Sequence, residues 1–351
     1  MFLGIDVGQG TTDILLWDPE HSLENSMQLV IPSASKRLAQ EVELIEGDIF
    51  CHGAIMGGIP LVKALKNKIK AGSKVYMTPE SAMSIRYHLD FIRDLGISIV
   101  DSSQEVPLDT KKIRTTDFRF DWILEFIQNA IGYDPEINGI GIAVQDHGLH
   151  KKEEYARETR LQFYKEQLDQ SPNLKNLAFR KSVPDRFPRL QAALKEKNRF
   201  FPDAEHYITD TSPIAILGAL YDDEIRLKVQ NKAKTVINFG NGHTLVCVLD
   251  AQDNVVAFFE HHTGRIKDPK KFDNYLDELF EERLDSKAVL DDLGHGSYYL
   301  NSIPLSATEN IIAIGPQRNL GKSSKYKISF ANPGGSMMMA GPIALVKSFV
   351  E

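Results

Sequence analysis

The segments around Gly8-Gln9-Gly10 and Gly240-Asn241-Gly242 lie 232 positions apart and share a frame. The first reads Ile5-Asp6-Val7-Gly8-Gln9-Gly10-Thr11-Thr12-Asp13, runs into apolar residues and stops at Asp18. The second reads Ile237-Asn238-Phe239-Gly240-Asn241-Gly242-His243-Thr244, does the same and stops at Asp250. Five of the fourteen aligned positions are identical. Apolar β-formers on both sides of each G-x-G predict strand, glycine turn, strand, with positive φ available to the glycines. A turn without side chains at its tip lets backbone N–H groups approach an anion. Thr11, Thr12 and Thr244 would add hydroxyl donors. Asp6, at a strand end, suits a hydrated Mg²⁺, which prefers oxygen ligands and keeps much of its water. Two such turns across a cleft would clamp a polyphosphate. A Rossmann fingerprint is excluded, because neither G-x-G continues x-x-G into a helix.

These residues resemble the phosphate motifs of the ASKHA superfamily of sugar kinases, heat-shock chaperones and actin. The resemblance implies two similar α/β domains of the ribonuclease-H-like, actin-like ATPase fold, with a nucleotide cleft between them. It implies ATP and Mg²⁺, and a nucleotide contact for Gly8, Gln9, Gly10, Thr11, Thr12 and Asp13. The second motif would supply Asn238, Gly240, Asn241, Gly242, His243 and Thr244, departing from the family where Asn238 replaces the usual Asp. Asn238 carries no charge to hold a magnesium-bound water, which favours slow turnover. Asp6 would hold the metal through water, and Asp13 would fix the first hairpin or touch the metal's water shell. Asn138 to Gln145 reads as a buried strand, and Asp146 or Gln145 beyond it would orient the attacking water or act as base. Ile311 to Ile314 with Gly315, and Asn332-Pro333-Gly334-Gly335 before a helix from Met337 to Val350, resemble the adenosine-side segments. The usual Gly-Gly after the first of those strands is Gly315-Pro316 here.

Within the superfamily the chain is similar to a prokaryotic family labelled as related to pyruvate formate-lyase activation. That label implies radical chemistry on an iron–sulfur cluster, which needs three or four cysteines. Only Cys51 and Cys247 are present. The expected activity is therefore an ATP-binding, Mg²⁺-dependent phosphotransferase or slow ATPase acting on a small molecule or a partner protein. The alternative is a nucleotide-dependent scaffold without useful turnover. The motifs name neither acceptor, partner nor oligomeric state.

The elements that must position these groups follow from pattern and length. A chain of 351 residues predicts two domains: 1–150 with the first hairpin, and 205–351 with the second, whose last helix could pack back on the first. Between them, 151–204 reads as a basic helical insertion. Its stretch 151–201 holds thirteen Lys and Arg against seven Asp and Glu, within a chain of net charge -7. It is expected either to be a solvated insertion or to cap the cleft for an acidic metabolite or protein. Alternating helices and strands over 59–100, including one helix from Pro79 to Asp94, imply a partly parallel sheet. His261 and His262 on a strand should point to opposite faces, a poor chelate. His261 and His262 could still supply metal ligands, as could His147 and His150, but the 261–264 segment reads rather as a polar wall of the cleft. Acidic net charge argues against nucleic acid. The absence of a long apolar run argues against a membrane span, and two cysteines fit a reducing cytoplasm.

Overall fold

The computed structural model describes residues 1–150 and 156–351. The basic residues Lys151 and Lys152 lie outside that range. Two sheets with the same wiring dominate. In the first, β1 (Phe2–Val7), β2 (Thr11–Trp17) and β3 (Met27–Pro32) form an antiparallel meander. β8 (Gly139–Val144) and then β9 (Glu205–Thr209) add in parallel on the other side of β1, giving the order β3-β2-β1-β8-β9. In the second, β10 (Lys234–Phe239), β11 (His243–Leu249) and β12 (Val255–His262) repeat the meander. β14 (Ile311–Ile314) and β15 (Ile328–Phe330) again add in parallel beside the first strand. One extra antiparallel strand, β13 (Gly296–Tyr299), closes the far edge. Three antiparallel strands followed by two parallel ones, twice in one chain, is the ribonuclease-H-like pair of the actin-like ATPase fold.

Three features differ from the pattern read along the chain. First, 49–115 builds its own four-stranded parallel sheet, in the order β6-β5-β4-β7. Its strands are β4 (Ile49–Gly53), β5 (Val75–Met77), β6 (Ile97–Ile99) and β7 (Lys111–Thr115). A local βαβ pattern is the same whichever sheet it joins. The helix expected from Pro79 to Asp94 is two short ones, Pro79–Ala82 and Leu89–Asp94. Likewise, the helix expected from Met337 is regular only over Ala340–Lys347.

Second, β9 pairs with β8, so the strand expected to open the second domain completes the first sheet. Third, the basic stretch is not a solvated insertion. From its helix Ala156–Gln170 the side chains of Leu161, Phe163, Tyr164 and Leu168 enter the main core. They meet Leu174, Leu177, Val183, Phe187 and Leu190 from the loop and helix Pro188–Phe200 that follow. That core runs on to Val236, Leu245 and Ile312 of the second sheet. A net basic composition reveals nothing about which side chains of such a stretch are buried.

Two central helices, Thr211–Ala219 and Ala340–Lys347, sit between the sheets and are apolar nearly all round, as burial on every side requires. Glycines let them in. A Cβ at Gly218 would lie 2.0 Å from the Ala340 carbonyl oxygen, and one at Gly141 would lie 2.6 Å from Leu345 Cβ. The final helix thus packs on the first sheet. Gly218→Ala should cost about 2–3 kcal/mol in urea unfolding, because backbone rather than a flexible side chain must yield. Gly264→Ala, with open space at the same test and no positive φ, should stay within about 0.5 kcal/mol.

Candidate functional site

A cleft of about 1110 Å³ separates the halves. Its walls include Asp6, Gly8, Gln9, Thr11 and Asp13 from the first hairpin and Asn238, Gly240, Asn241, Gly242 and His243 from the second. The hairpins close identically: Gly8 N donates to Thr11 O at 2.9 Å, and Gly240 N to His243 O at 3.0 Å. The last strand pairs are Val7 with Thr12 and Phe239 with Thr244.

None of the four hairpin glycines has positive φ, contrary to the expectation from sequence. Two of them lie against flexible side chains of the opposite tip. A Cβ on Gly10 would stand 2.0 Å from Asn241 Nδ2, and one on Gly242 would stand 2.4 Å from Gln9 Oε1. The middle residue of each tip therefore lies over the last glycine of the other, a reciprocal interlock.

Asp6 and Asp13 are cross-strand partners on neighbouring strands. Burial, then Asp13 and Asp210 nearby, holds the Asp6 carboxyl well above the usual carboxylate range. Asp6 Oδ1 is buried without a hydrogen-bond partner. Burial pushes Asp13 to about 7, against a weak lowering by the Thr11 hydroxyl. Two crowded carboxyl groups with orphaned oxygens fit a magnesium ion, which takes hard oxygen ligands and would restore their ionised form. On the second hairpin the matching position is the neutral Asn238.

Several expected site residues are deployed otherwise. Thr12 and Thr244 are buried. The Thr244 hydroxyl pairs with that of Thr263 at 3.0 Å, and Thr263 donates to Gly240 O at 2.8 Å, so these residues brace the hairpin. Asp146 has no free lone pair facing the cleft. Its Oδ1 accepts from the Tyr87 hydroxyl (2.6 Å) and Gly148 N (2.8 Å), and its Oδ2 from Arg189 N (2.7 Å) and Leu190 N (3.1 Å). It satisfies the first turn of helix Pro188–Phe200 and is unsuited to take a proton from a nucleophile. Gln145 does face the cleft, with its amide 3.1 Å from His243 Nδ1. Gly315 lines it too, with φ of +97° and room only for hydrogen beside the Phe239 carbonyl. Gly334 and Gly335 open instead onto a second cavity beside Trp17 and Tyr221, while Met337, Met338, Ala340 and Gly341 take their place in the cleft wall.

The basic stretch reaches the cleft through Arg157 and Arg189. Arg189 forks onto Asp117 (2.7 and 3.0 Å) and donates to the Gln145 carbonyl (2.7 Å). Arg157 donates to Gly294 O at 3.0 Å.

A histidine cluster was not legible as a unit. His243, directly after the second glycine tip, and His262 are cross-strand partners on β11 and β12, with ring centroids 4.7 Å apart. His295, whose N–H donates to Glu260 O, brings its ring to 4.7 Å from His243 and 5.0 Å from His262. His147 stacks on His295 at 5.6 Å. Burial and neighbouring cations lower the affinity of all four for a proton, His147 to about 3. His261 points the other way, to Asp292 at 3.0 Å, as strand alternation requires. His150 bonds the Gly148 carbonyl at 3.2 Å.

Residues 56–320, three quarters of the chain, match the model of the family described as "Putative pyruvate format-lyase activating enzyme (DUF1786)". The chain belongs to that family. The matched span holds the second hairpin and all four clustered histidines. No curated protein matches the sequence. Among solved structures the chain is similar to the PilM-PilN type IV pilus biogenesis complex, at 12% identity and TM-score 0.40 over 100% of this chain and 98% of that one. It is also similar to a Bacteroides thetaiotaomicron protein with actin-like ATPase fold, at 10% and 0.39 over 99% and 95%. MreB5 of Spiroplasma citri bound to ADP follows at 8% and 0.35 over 99% and 96%. These likenesses are loose, and the fold assignment stands on the strand order. The description of the DUF1786 family does not fit a cluster held by this chain. Cys51 on β4 and Cys247 on β11 are both buried in different sheets, and burial pushes the Cys51 thiol to about 12.

A carboxyl whose folded pKa exceeds its unfolded one binds extra protons when folded, so it opposes folding progressively from about pH 4 upward. For Asp13 that window ends near 7. Asp13→Asn should therefore leave apo-protein stability unchanged near pH 4. By pH 8 it should raise stability by a few kcal/mol at most, on the order of the shift. Urea titrations across that range check the sign.

Proposed function

We propose that the cleft binds ATP with Mg²⁺ and that the protein is a slow, partner-directed ATPase of the ASKHA type. The observation that carries this reading is the interlock of two identically built hairpins beside the crowded pair Asp6 and Asp13. Gln9, Asn241 and Gly242 line the cleft, and their backbone N–H groups would meet a polyphosphate entering between the tips. Thr11 offers a hydroxyl on this wall. Asp6 and Asp13 would hold the magnesium through water. When bound, that ion neutralises charge on the phosphates.

The remaining residues favour slow turnover. Asp146 is consumed by four hydrogen bonds, and Asp117 by Arg189 and Gly57 N. Gln145 is left as the polar group able to orient a water, without the basicity of a carboxylate. A kinase needs a base beside its acceptor hydroxyl, and neither of those two carboxylates is free to serve. Nucleotide entry must replace the Gln9–Gly242 and Asn241–Gly10 contacts, so occupancy and the spacing of the halves are linked. Such a linkage suits an enzyme that uses ATP to change the state of a partner.

Calorimetric titration of MgATP and MgADP into wild type and Asp6→Ala, with phosphate release followed alongside, tests this. Saturable binding that weakens at least tenfold in the variant, with release slower than about 1 per minute, is the expected result. Equal binding by the variant, or none by wild type, overturns the assignment. Fast transfer to an added small-molecule alcohol or acid would replace the ATPase by a kinase.

A further inference from the structure

We propose that His243, His262 and His295 form a binding site for a divalent transition-metal ion of the zinc type, separate from the carboxylate pair Asp6 and Asp13. One ring nitrogen from each lies within 4.8 Å of the other two. A tetrahedral ion with bonds of about 2.1 Å sets its donors about 3.4 Å apart, so small side-chain rotations close the set.

The polar bookkeeping points to a ligand. His295 is fully buried, and neither of its ring nitrogens has a hydrogen-bond partner. The Nε2 of His243 and the Nδ1 of His147 are buried and unpartnered as well. Orphaned imidazole nitrogens on His147, His243 and His295 are costly to leave unsatisfied, since buried polar atoms are nearly always paired. A cation that accepts nitrogen lone pairs satisfies several of them together.

The surroundings match what ligating histidines require. Gln145 lies against His243 Nδ1 at 3.1 Å, leaving Nε2 as the ligand atom. Glu260 Oε2 stands 3.6 Å from His295 Nδ1, in the place of a carboxylate that orients a ligating ring. Glu260 is itself held by Arg160 and Ser212. Backbone pairing fixes the ring positions: His243 opposes His262 across β11 and β12, and His295 is tied to the same strand through Glu260 O.

Imidazole donors select zinc, cobalt, nickel or copper over magnesium and calcium, which prefer oxygen. Three protein ligands leave a fourth position for water or for an oxygen atom of a bound molecule. His243 and His262 border the main cleft with Arg157 and Gln145, so that position would open onto it.

The test is titration of Zn²⁺ and, separately, Co²⁺ into tag-free, chelator-stripped full-length protein without nucleotide. Failure of ATP binding would therefore leave this result untouched. One equivalent of zinc should bind, Co²⁺ should give the absorption bands of a four-coordinate nitrogen-rich site, and His262→Ala should weaken binding at least a hundredfold. His261→Ala, on the opposite strand face, should bind as wild type does. X-ray absorption of the wild-type zinc complex decides the matter should His262→Ala fail to fold, because imidazole scattering from two or more rings is expected. No saturable zinc binding by wild type, a zinc shell without imidazole, or unchanged affinity in folded His262→Ala would overturn the assignment.

Discussion

The architecture depends on one buried cation. Arg160, 1% exposed, projects from helix Ala156–Gln170 and forks onto Asp210 at 2.9 and 2.7 Å. It also binds Glu260 and receives the face of Tyr164 at 5.0 Å. Asp210 caps helix Thr211–Ala219, which leaves the first sheet; Glu260 belongs to β12 of the second. Taking these charges out of water costs several kcal/mol apiece, and only complete pairing offsets it. Such a network does little for net stability. What it enforces is geometry, because any displacement of one sheet against the other strands a buried carboxylate. From the basic stretch, Arg160 thus ties the two halves together.

The weld stands directly behind the site. Glu260 faces Arg160 with its side chain and His295 with its carbonyl, so the second-half histidines are registered to the same point that registers the helix of the first half. The two halves share wiring down to the hairpin pair at which each turn begins, yet they have diverged in donor chemistry. The first carries paired carboxyl groups of hard oxygen; the second carries an amide and imidazoles. A cleft with oxygen donors on one wall and nitrogen donors on the other can hold two unlike cations without their competing.

The legible part of this arrangement was local in sequence. A hairpin writes itself in a dozen residues, and its recurrence exposed the duplicated fold and the position of the cleft. Alternation along β12 separated His261 from His262 correctly, since a period of two needs no tertiary knowledge. Other features turned on partners distant in the chain. Asp146 looked free because the amide groups of Arg189 and Leu190 lie more than forty residues away. His147, His243 and His295 share no spacing that any motif could capture. The separate sheet of 49–115 and the burial of the basic stretch were hidden for the same reason, since helices and strands do not name the layer they join.

The hairpin glycines illustrate how a correct position can rest on the wrong cause. Glycine at a turn suggests left-handed backbone, yet φ is not positive at any of the four. At Gly10 and Gly242 a Cβ would instead stand 2.0 and 2.4 Å from the Asn241 and Gln9 side-chain ends of the opposite tip, flexible groups that would have to swing aside. The two tips are therefore in contact with each other rather than independent turns. A group inserted between the tips separates Gln9 from Gly242 and Asn241 from Gly10 together, because each strand continues rigidly into its sheet. Under the proposed function, differential affinity for two spacings of the halves would be the means by which a bound anion alters the rest of the molecule.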